Sequence, residues 1–283
     1  MNSKQISRLI GRSLWRRRAG YALIHLTTLR EWYIARAMRR LLAAPAEMSS
    51  ALDAGCGMGQ HTYALARRAP ALRIEAVEQD AEQAADLADF FQRLGLERVQ
   101  VRAGDITRDD LGGAVDLILC CSVLEHIPDD LALLQRFHAL LRERGSLLIY
   151  VPLSERRVLK SLERRIAAMT RAAGGELPHG HVRYYTPELL ASRLGQCGFE
   201  VTRRELSYGP CGRLAYDLVT AVQFSSLFLV LFPFYLVLVH PFVLLLMAID
   251  YFSVNRDGNG LLIVAGKSGG ITVEETADAA NPD

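Results

Sequence analysis

Short apolar runs alternate with amphipathic stretches along most of the chain after residue 50. The runs are four to eight residues long, as expected for strands, and the stretches repeat apolar positions every three or four residues, as expected for helices. Predicted strands cover Ala51–Ala54, Arg73–Glu78, Val99–Ala103, Asp116–Cys121, Ser146–Val151, Phe199–Leu206 and Gly260–Lys267. Predicted helices cover about 3–18, 27–42, 60–68, 81–94, 131–142 and 186–198. Repeated strand–helix units of this length predict a doubly wound α/β fold around a largely parallel sheet.

One segment breaks this alternation: from Leu218 to Ile249 there are 32 consecutive residues without Asp, Glu, Lys or Arg. It is longer than the ~20 residues that span a bilayer. However, Pro233 and Pro241 interrupt it, because a proline inside a helix removes a backbone hydrogen bond. Division at Pro233 leaves pieces of 15 and 16 residues, and each piece reaches only ~24 Å at ~1.5 Å per residue. The pattern therefore predicts a hydrophobic helical hairpin within residues 209–258.

Charge is distributed as unevenly as hydropathy. Residues 1–40 hold ten Lys and Arg side chains and one acid, Glu31, whereas the rest of the chain holds 23 basic and 30 acidic side chains. A basic amphipathic helix is attracted to anionic lipid, so residues 1–45 are expected to lie on a membrane surface or to form a lid. The alternative is a pair of helices packed on the body with a solvated basic face. Five cysteines without a C-x-x-C pair favour a reducing compartment.

A glycine-rich segment, LDAGCGMG, occupies residues 52–59 at the end of the first predicted strand. Glycines at a strand-to-helix turn let the backbone approach a ligand, and the start of the helix offers free N–H groups. Asp53 would repel the pyrophosphate of a dinucleotide, whereas Glu78, at the end of the next strand, can accept from both hydroxyls of a ribose. An acidic loop of this kind suits a cationic ligand that carries an amino acid and a sulfonium.

These segments resemble the class I S-adenosylmethionine-dependent methyltransferases over about residues 48–206 and 260–267. Five pieces follow the order found in that family: LDAGCGMG, the acid of AVEQD, AGDI, DLILCCSVLEHIPD and GSLLIYVP. The resemblance implies a seven-stranded Rossmann-like sheet with an antiparallel last strand, N-terminal helices, and the hydrophobic hairpin inserted between strands six and seven. It also implies S-adenosyl-L-methionine as the cofactor.

The resemblance assigns cofactor contacts position by position. The three loop glycines would line the methionine part, with Asp53 near its sulfonium or its amine. Glu78 would hold the ribose, and Asp105 would accept a hydrogen bond from the adenine amine. The alternatives are a turn cap for Asp53 and an exposed loop acid for Asp105. The expected cofactor contacts are Asp53, Gly55, Cys56, Gly57, Gly59, Glu78, Gln79, Gly104, Asp105, Ile106 and Cys121.

Two histidines are candidate catalytic bases. His126 follows the fourth predicted strand, at the carboxyl edge where open α/β sheets bind ligands, although a histidine here can also simply order its loop. His181 lies in a glycine-flanked loop ahead of the last core helix. A general base contributes typically ~10²–10⁴-fold to a reaction that releases a proton. The expected substrate contacts are Arg183, Tyr184, Trp32 and Tyr33.

The same loop carries part of a metal-binding pattern. Some quinone-type O-methyltransferases that this segment resembles bind a divalent metal through a Glu three residues before a Glu-His pair. Here Glu125 and His126 form the pair, but Ser122 stands at the third position. We therefore expect no catalytic metal.

The implied topology limits how the hydrophobic hairpin can meet a membrane. Strands six and seven of this family pair antiparallel, so Leu206 and Gly260 would lie near each other. The chain must then return to the side from which it left, which a single crossing cannot achieve. We expect a hairpin that dips into one leaflet beside the active site. The alternatives are a hairpin that spans the bilayer and a soluble cap packed against another subunit.

The sequence thus predicts a methyltransferase, with O-methylation favoured, for a lipophilic or lipid-linked acceptor at the cytoplasmic face of the inner membrane, with a homodimer possible. One alternative is a methyltransferase of a soluble metabolite that uses the hydrophobic block to oligomerise. Another is a membrane-bound protein that binds the cofactor without catalysis. No aromatic and basic stacking platform accompanies the basic head, so nucleic acid is not an expected partner. The expected regions are basic helices at 1–45, a core at 46–208 and 259–268, the insertion at 209–258 and a disordered tail at 269–283.

Overall fold

Seven strands build the centre of the molecule in the computed structural model, which describes residues 13–43, 48–153, 156–160, 181–223 and 234–267. The strands are β1 (Ser50–Ala54), β2 (Arg73–Glu78), β3 (Val99–Ala103), β4 (Val115–Cys121), β5 (Leu141–Pro152), β6 (Phe199–Ser207) and β7 (Gly260–Lys267). They form one sheet in the order β3-β2-β1-β4-β5-β7-β6. β7 pairs antiparallel with both β5 and β6, and the pairs among β1 to β5 are parallel. The predicted seven-stranded fold with an antiparallel last strand is confirmed.

Helices cover both faces of this sheet. They are α1 (Leu14–Thr27), α2 (Leu29–Leu42), α3 (Gln60–Arg68), α4 (Ala81–Arg93), α5 (Asp130–Leu140), α6 (Pro187–Gln196), α7 (Pro210–Gln223) and α8 (Tyr235–Phe252). The central strands are apolar and buried on both faces, as expected for a sheet between two helical layers. The carboxyl ends of β1, β2, β4 and β5 meet at one edge of the sheet, and β6 also ends there because it runs parallel to β5.

The N-terminal helices pack on the body of the protein. α1 continues to Thr27, beyond the predicted end at residue 18, and an extended residue, Thr28 (φ −129°), separates it from α2. The predicted start at residue 3 lies outside the described residues. Leu29, Tyr33 and Ile34 of α2 are buried in the same hydrophobic cluster as the sheet. α2 is therefore part of the core.

The insertion between β6 and β7 consists, in its described part, of α7 and α8, which pack against each other. The first five residues of α8, Tyr235–Val239, are π-helical, and α-helix follows from His240. Pro241 therefore lies in the first turn of the α-helical part and does not end the helix, contrary to the sequence prediction. The π-helical turn directly before it accommodates the proline within the continuous helix.

A buried carboxylate joins the two ends of the insertion. Asp250 of α8 is 1% exposed and accepts hydrogen bonds from the backbone N–H groups of Tyr208 (3.2 Å) and Gly212 (3.1 Å), at the start of the insertion. It also accepts from the hydroxyl of Tyr33 in α2 (2.9 Å). The chain thus leaves and rejoins the sheet at one place, as predicted from the antiparallel pairing. The predicted disordered tail at 269–283 lies outside the described residues.

Candidate functional site

The loop between β1 and α3 needs glycine for two reasons. Gly55, Gly57 and Gly59 have φ values of 75°, 56° and 79°, in the left-handed region that favours glycine. A Cβ on Gly55 would also lie 2.6 Å from Cγ2 of Val123, so a side chain there would force the loop or Val123 to move. The N–H groups of Gly55 and Cys56 both donate to the carbonyl of Val77. The loop is thereby held against the end of β2.

A cavity of about 450 Å³ opens between this loop and the ends of β2 and β4. Seven of the expected cofactor contacts line it: Gly55, Gly57, Glu78, Gln79, Gly104, Asp105 and Ile106. The residues after β4 that also line it are Ser122, Val123, His126 and Ile127. Ser122 has a φ of 57°, which is uncommon for a residue with a side chain and is typical of functional sites. Its N–H donates to the carbonyl of Tyr150, which fixes the turn beside the cavity.

Two carboxylates of the cavity are held by the backbone. Glu78 accepts from the N–H of Gly57 at 2.9 Å and from the N–H of Asp80 at 3.1 Å. Asp105 accepts from the N–H and the hydroxyl of Thr107, at 2.8 and 2.6 Å, and these bonds hold the pKa of Asp105 below its usual value. Both acids are therefore fixed in position at the cavity wall.

Four other expected cofactor contacts lie away from the cavity wall: Asp53, Cys56, Gly59 and Cys121. Asp53 is 1% exposed, and its carboxylate accepts from the hydroxyl of Thr62 at 2.5 Å. It thus ties the loop to α3, which agrees with the turn-cap alternative. Gly59 packs so closely against Leu87 that a Cβ at this position would lie 2.5 Å from the Leu87 side chain. Burial raises the pKa of both thiols, Cys56 and Cys121.

The two candidate bases lie side by side. The rings of His126 and His181 meet edge to face with their centres 4.9 Å apart. The backbone N–H of Val182 donates to the carbonyl of Glu125 at 2.8 Å, which joins the two loops. The Glu125 side chain is 1% exposed, and burial raises its pKa to about 7. The fold therefore brings together two histidines that are 55 residues apart in the sequence.

The same three side chains change the argument about a metal. A carboxylate oxygen of Glu125 and one nitrogen each from His126 and His181 lie within 4.8 Å of one another. Groups of this type and spacing can share one divalent cation. Ser122 stands where the sequence pattern lacks a third ligand, but His181 provides a third potential ligand from a distant loop. The described residues are therefore compatible with a divalent metal at this place.

Arg183, an expected substrate contact, is engaged within the protein. Its guanidinium lies 2.5 Å from the carboxylate of Asp130, which also accepts from Tyr185 and Arg193, both at 2.6 Å. Asp130 is 1% exposed, so this cluster fixes the loop that carries His181. Tyr184 is half-buried, with its ring 5.8 Å from that of His181. Of this pair, Tyr184 is the one positioned beside the candidate bases.

Trp32 and Tyr33, also expected substrate contacts, instead join helices. The Trp32 indole N–H donates to the carbonyl of His25 at 2.7 Å. Tyr33 is 1% exposed, and its hydroxyl donates to Asp250. Both rings lie against Tyr251 of α8. These contacts correct the expectation, because the apolar face of α2 is used to hold α8.

Sequence reasoning missed the residues that attach the N-terminal helices to the glycine loop. The hydroxyl of Tyr21 donates to the carbonyl of Met58 at 2.5 Å. His61, in the first turn of α3, forms a buried ion pair with Glu31 of α2 at 2.9 Å. Glu31 was visible as the single acid of the basic head. Its partner could be identified only from the fold.

The cavity fits S-adenosylmethionine. Gly55 and Gly57 carry no side chain, so the backbone of the loop can approach a ligand. Glu78 stands at the end of β2, where a ribose can be held. Asp105 and Ile106 stand at the other end, where an adenine can be recognised. The acids also suit a ligand with a positive charge.

A family model described as a methyltransferase domain matches residues 26–204. The ubiquinone biosynthesis O-methyltransferase of Cupriavidus pinatubonensis is 24% identical over 173 residues, which are 58% of this chain and 65% of that protein. The chain spans between 4% and 65% of the length of the curated relatives that match it.

Solved structures agree on the fold. A putative sarcosine dimethylglycine methyltransferase from Galdieria sulphuraria has a TM-score of 0.57 at 18% identity, with 85% of both chains covered. The O-methyltransferase of a trans-AT polyketide synthase from Brevibacillus brevis, in complex with S-adenosyl-L-homocysteine, has a TM-score of 0.56 at 15% identity, with 88% of this chain and 76% of that chain covered. The chain belongs to the methyltransferase domain family, among the class I enzymes that use S-adenosylmethionine.

Proposed function

We propose that this protein transfers a methyl group from S-adenosylmethionine to an oxygen atom of a lipophilic small molecule at the surface of the cytoplasmic membrane. The observation that carries the proposal is an apolar helix beside the cofactor edge of the sheet. α8 exposes a set of large apolar side chains: Val237, Leu238, Val239, Phe242, Leu245, Ile249 and Phe252. Contiguous apolar surface of this kind is typical of a membrane or partner contact.

The cofactor would supply an electrophilic methyl group on a sulfonium. Gly55 and Gly57 would hold its methionine part, Glu78 its ribose, and Asp105 and Ile106 its adenine. A fixed arrangement of the two reactants can contribute ~7–11 kcal/mol to lowering the barrier. The backbone bonds to Glu78 and Asp105 support such an arrangement.

Transfer to a hydroxyl releases a proton, and His126 is positioned to accept it. His126 lines the cavity at the end of β4, and His181 lies against it. A neutral imidazole is suited to this role near neutral pH. O-methylation is therefore the reaction that these residues support best.

The position of the insertion supports a lipophilic acceptor. β6 ends at Ser207, whose hydroxyl is 2.9 Å from that of Tyr150, at the carboxyl edge of β5. α7 begins three residues later. The apolar insertion thus starts at the edge of the sheet that carries the cofactor cavity, which supports an acceptor that reaches the site from lipid.

α8 is, within the described residues, long and apolar enough to cross a membrane, judged by length and composition alone. Two contacts favour a peripheral position instead. Asp250 holds both ends of the insertion together, which excludes an odd number of crossings. α7 is fixed to the body through Asp217, which is fully buried and paired with Arg157 at 3.2 Å. We therefore favour a hairpin that contacts one leaflet.

The proton acceptor is tested by His126→Gln. We expect the turnover number to fall by ~10²–10⁴-fold, while the affinity for S-adenosylmethionine measured by calorimetry stays unchanged. His138→Gln, the same substitution beside Phe199 at the start of β6 and so at the opposite edge of the sheet, serves as the control. Treatment with EDTA is the second arm. Loss of activity that Mg²⁺ restores would contradict His126 as the base and would favour a metal held by Glu125, His126 and His181.

The acceptor class is tested by extraction of cells that produce the wild type or the Glu78→Ala variant. We expect a compound that differs by one methyl group, present in the organic phase only with the wild type. A difference confined to the aqueous phase would contradict a lipophilic acceptor and would support the alternative of a soluble metabolite.

A further inference from the structure

A groove on the outer side of the N-terminal helices is separate from the cofactor cavity. It has a volume of about 780 Å³ and lies between α1, α2 and α3. Besides His61, which is paired with Glu31, four side chains that are or can become cationic line it: Arg18, His25, Arg67 and Arg68. We refer to it as the basic groove. The reaction proposed above uses none of these four side chains.

The cations of the basic groove have no carboxylate partner among the described residues. Arg67 donates to the hydroxyl of Tyr63, and Arg68 donates to the carbonyl of Ala64. Glu31, the acid that lines the groove, is 6% exposed and is already paired with His61. The positive charge of the groove is therefore not neutralised by neighbouring acids.

Repulsion between these groups is an additional sign of an anionic ligand. Burial lowers the pKa of Arg68, and the nearby Arg39 and Arg67 lower it further. Burial also lowers the pKa of His25, with Arg68 and Arg39 acting in the same direction and Glu31 against them. An anion in the groove would relieve this repulsion. Oε1 of Gln60 is buried in the groove without a hydrogen-bond partner, and it could accept from a hydroxyl of the same ligand.

The helix that forms one wall of the groove is apolar on its outer side. Trp15, Ala19, Ala22 and Leu26 follow the four- and three-residue spacing of one helical face, and all four are exposed. Trp15 is 69% and Leu26 is 42% exposed. Arg18 and His25 lie along one side of this apolar face, and they line the groove together with Ala19 and Ala22. A central apolar stripe with cations at its margin is typical of helices that lie at a membrane interface.

The apolar face of α1 continues onto the insertion. Leu26, near the end of α1, lies beside His240, at the start of the α-helical part of α8. From there the exposed side chains of α8 extend the apolar surface. The basic groove thus lies at the margin of one surface formed by α1 and α8.

We propose that the basic groove binds the phosphate of an anionic phospholipid headgroup when α1 and α8 contact the bilayer. This inference rests on the proposed membrane function, because it uses the same surface. It adds a lipid preference, which the apolar residues alone would not produce. Each Arg near an anionic surface strengthens binding about fivefold, so three together contribute on the order of 100-fold.

The test measures co-sedimentation of the full chain with vesicles of phosphatidylcholine alone or with phosphatidylglycerol added. The variant is Arg18→Gln/Arg67→Gln/Arg68→Gln. The matched control, Arg73→Gln/Arg93→Gln/Arg144→Gln, removes three exposed arginines from elsewhere on the surface. Thermal unfolding checks that both variants are folded.

We expect the wild type and the control to prefer vesicles with phosphatidylglycerol by on the order of 100-fold. The groove variant should lose this preference and still bind phosphatidylcholine weakly through its apolar residues. Methylation in detergent should be equal in all three proteins. A groove variant that keeps the full preference would overturn the proposal.

Two further arms separate other occupants of the groove. If the groove variant loses binding of inorganic phosphate in calorimetry but keeps its vesicle preference, the groove binds a soluble anion and the proposal fails. The segment after Lys267 contains four acids. If a chain that ends at Lys267 shows a preference that the full chain lacks, this segment fills the groove and the proposal fails as well.

A variant of the apolar surface distinguishes the two proposals. Leu238→Ser/Phe242→Ser/Leu245→Ser should lose binding to both kinds of vesicle while the groove remains intact. Binding of this variant to pure phosphatidylcholine at the wild-type level would contradict the membrane function itself. If the groove variant loses binding only to the vesicles that contain phosphatidylglycerol, the result supports the headgroup site independently of the apolar surface.

Discussion

Gly55 and Gly95 adopt nearly the same left-handed backbone, with φ values of 75° and 68°. Their surroundings differ. A Cβ on Gly55 would lie 2.6 Å from Val123, whereas a Cβ on Gly95 would have no neighbour within 4 Å. The positive φ of Gly55 could be expected from its position at a strand-to-helix turn. Its contact with Val123 could not, because the two residues are 68 positions apart.

This difference predicts two outcomes of the same substitution. Gly55→Ala should lower the affinity for S-adenosylmethionine at least tenfold, since the loop must move away from Val123. Gly95→Ala should cost only the backbone strain, about 1–2 kcal/mol of stability, with the affinity unchanged. Calorimetry and urea unfolding of both variants measure these effects. Equal affinities for the two variants would contradict a close approach of the loop to the ligand.

The buried pair of Glu31 and His61 predicts a pH dependence of stability. Burial alone would raise the pKa of Glu31, but His61 and Arg30 outweigh it and lower that pKa to about 2. Burial would lower the pKa of His61, but Glu31 outweighs it and raises that pKa. The stabilisation from Glu31 is present above its unfolded value near 4.5 and is lost as pH falls toward 2. The stabilisation from His61 is present below about 6.5 and is lost as pH rises through its raised pKa.

Glu31→Gln should therefore destabilise the protein most between about pH 4.5 and 6.5, by on the order of 3 kcal/mol. The loss should be smaller at pH 9, where His61 is closer to neutral. Urea unfolding at pH 5.5 and pH 9 measures the difference. Arg93→Gln is the control, because its pair with Asp89 is exposed and should contribute less than about 0.5 kcal/mol at either pH. A pH-independent loss for Glu31→Gln would contradict the ion pair.

Among the elements, those with a local signal were predicted well. Thr186 and Pro187 start α6 as expected, and the Thr186 hydroxyl accepts from the N–H of Leu189. The extent of α1 was not predicted, because the burial of Arg17 depends on the fold. Arg17 is 5% exposed, pairs with Asp86 and stacks on Phe90. A sequence pattern assigns every arginine to the polar face of a helix. It therefore places Arg17 on the wrong face, because this arginine is buried and paired.

Asp250 gives a prediction for the insertion as an element. Asp250→Asn places an NH₂ group opposite a backbone N–H of Tyr208 or Gly212, so one donor loses its acceptor. We expect a loss of about 1–3 kcal/mol and faster amide hydrogen exchange in α7 and α8. Asp89→Asn, at a half-exposed acid on α4 away from the insertion, should change neither by much. Unchanged exchange in α7 would show that Asp250 does not hold the insertion.

On the scale of the whole molecule, the seven-stranded sheet, its antiparallel last strand and its cofactor edge were predicted through the resemblance to the methyltransferase family. The packing of the N-terminal helices against the insertion was not. It depends on aromatic contacts between Trp32, Tyr33 and Tyr251, which join segments more than 200 residues apart. Because the sequence does not reveal this partner, the apolar face of α2 was expected to contact substrate.

The proposed position on one leaflet can be tested by labelling. Val254, 95% exposed just after α8, and Asp89, exposed on α4, are each replaced by Cys in separate variants. An impermeant maleimide should label both variants in inside-out vesicles and neither in right-side-out vesicles, with the wild type giving the background. Labelling of Val254→Cys from the outer side would contradict a protein that stays on the cytoplasmic face.

The closure of the insertion at Asp250 has a consequence for the evolution of the protein. Ser207 and Gly260 already face each other across β6 and β7, so a short turn could replace the whole insertion without any change of register. The buried side of α2 would then lose its cover, and Tyr33 would lose its acceptor. A relative that lost the hairpin would therefore need a more polar first pair of helices. Homologues that lack the hairpin should carry polar residues on this side of α2, and homologues that keep it should change the identities at positions 33 and 250 in concert.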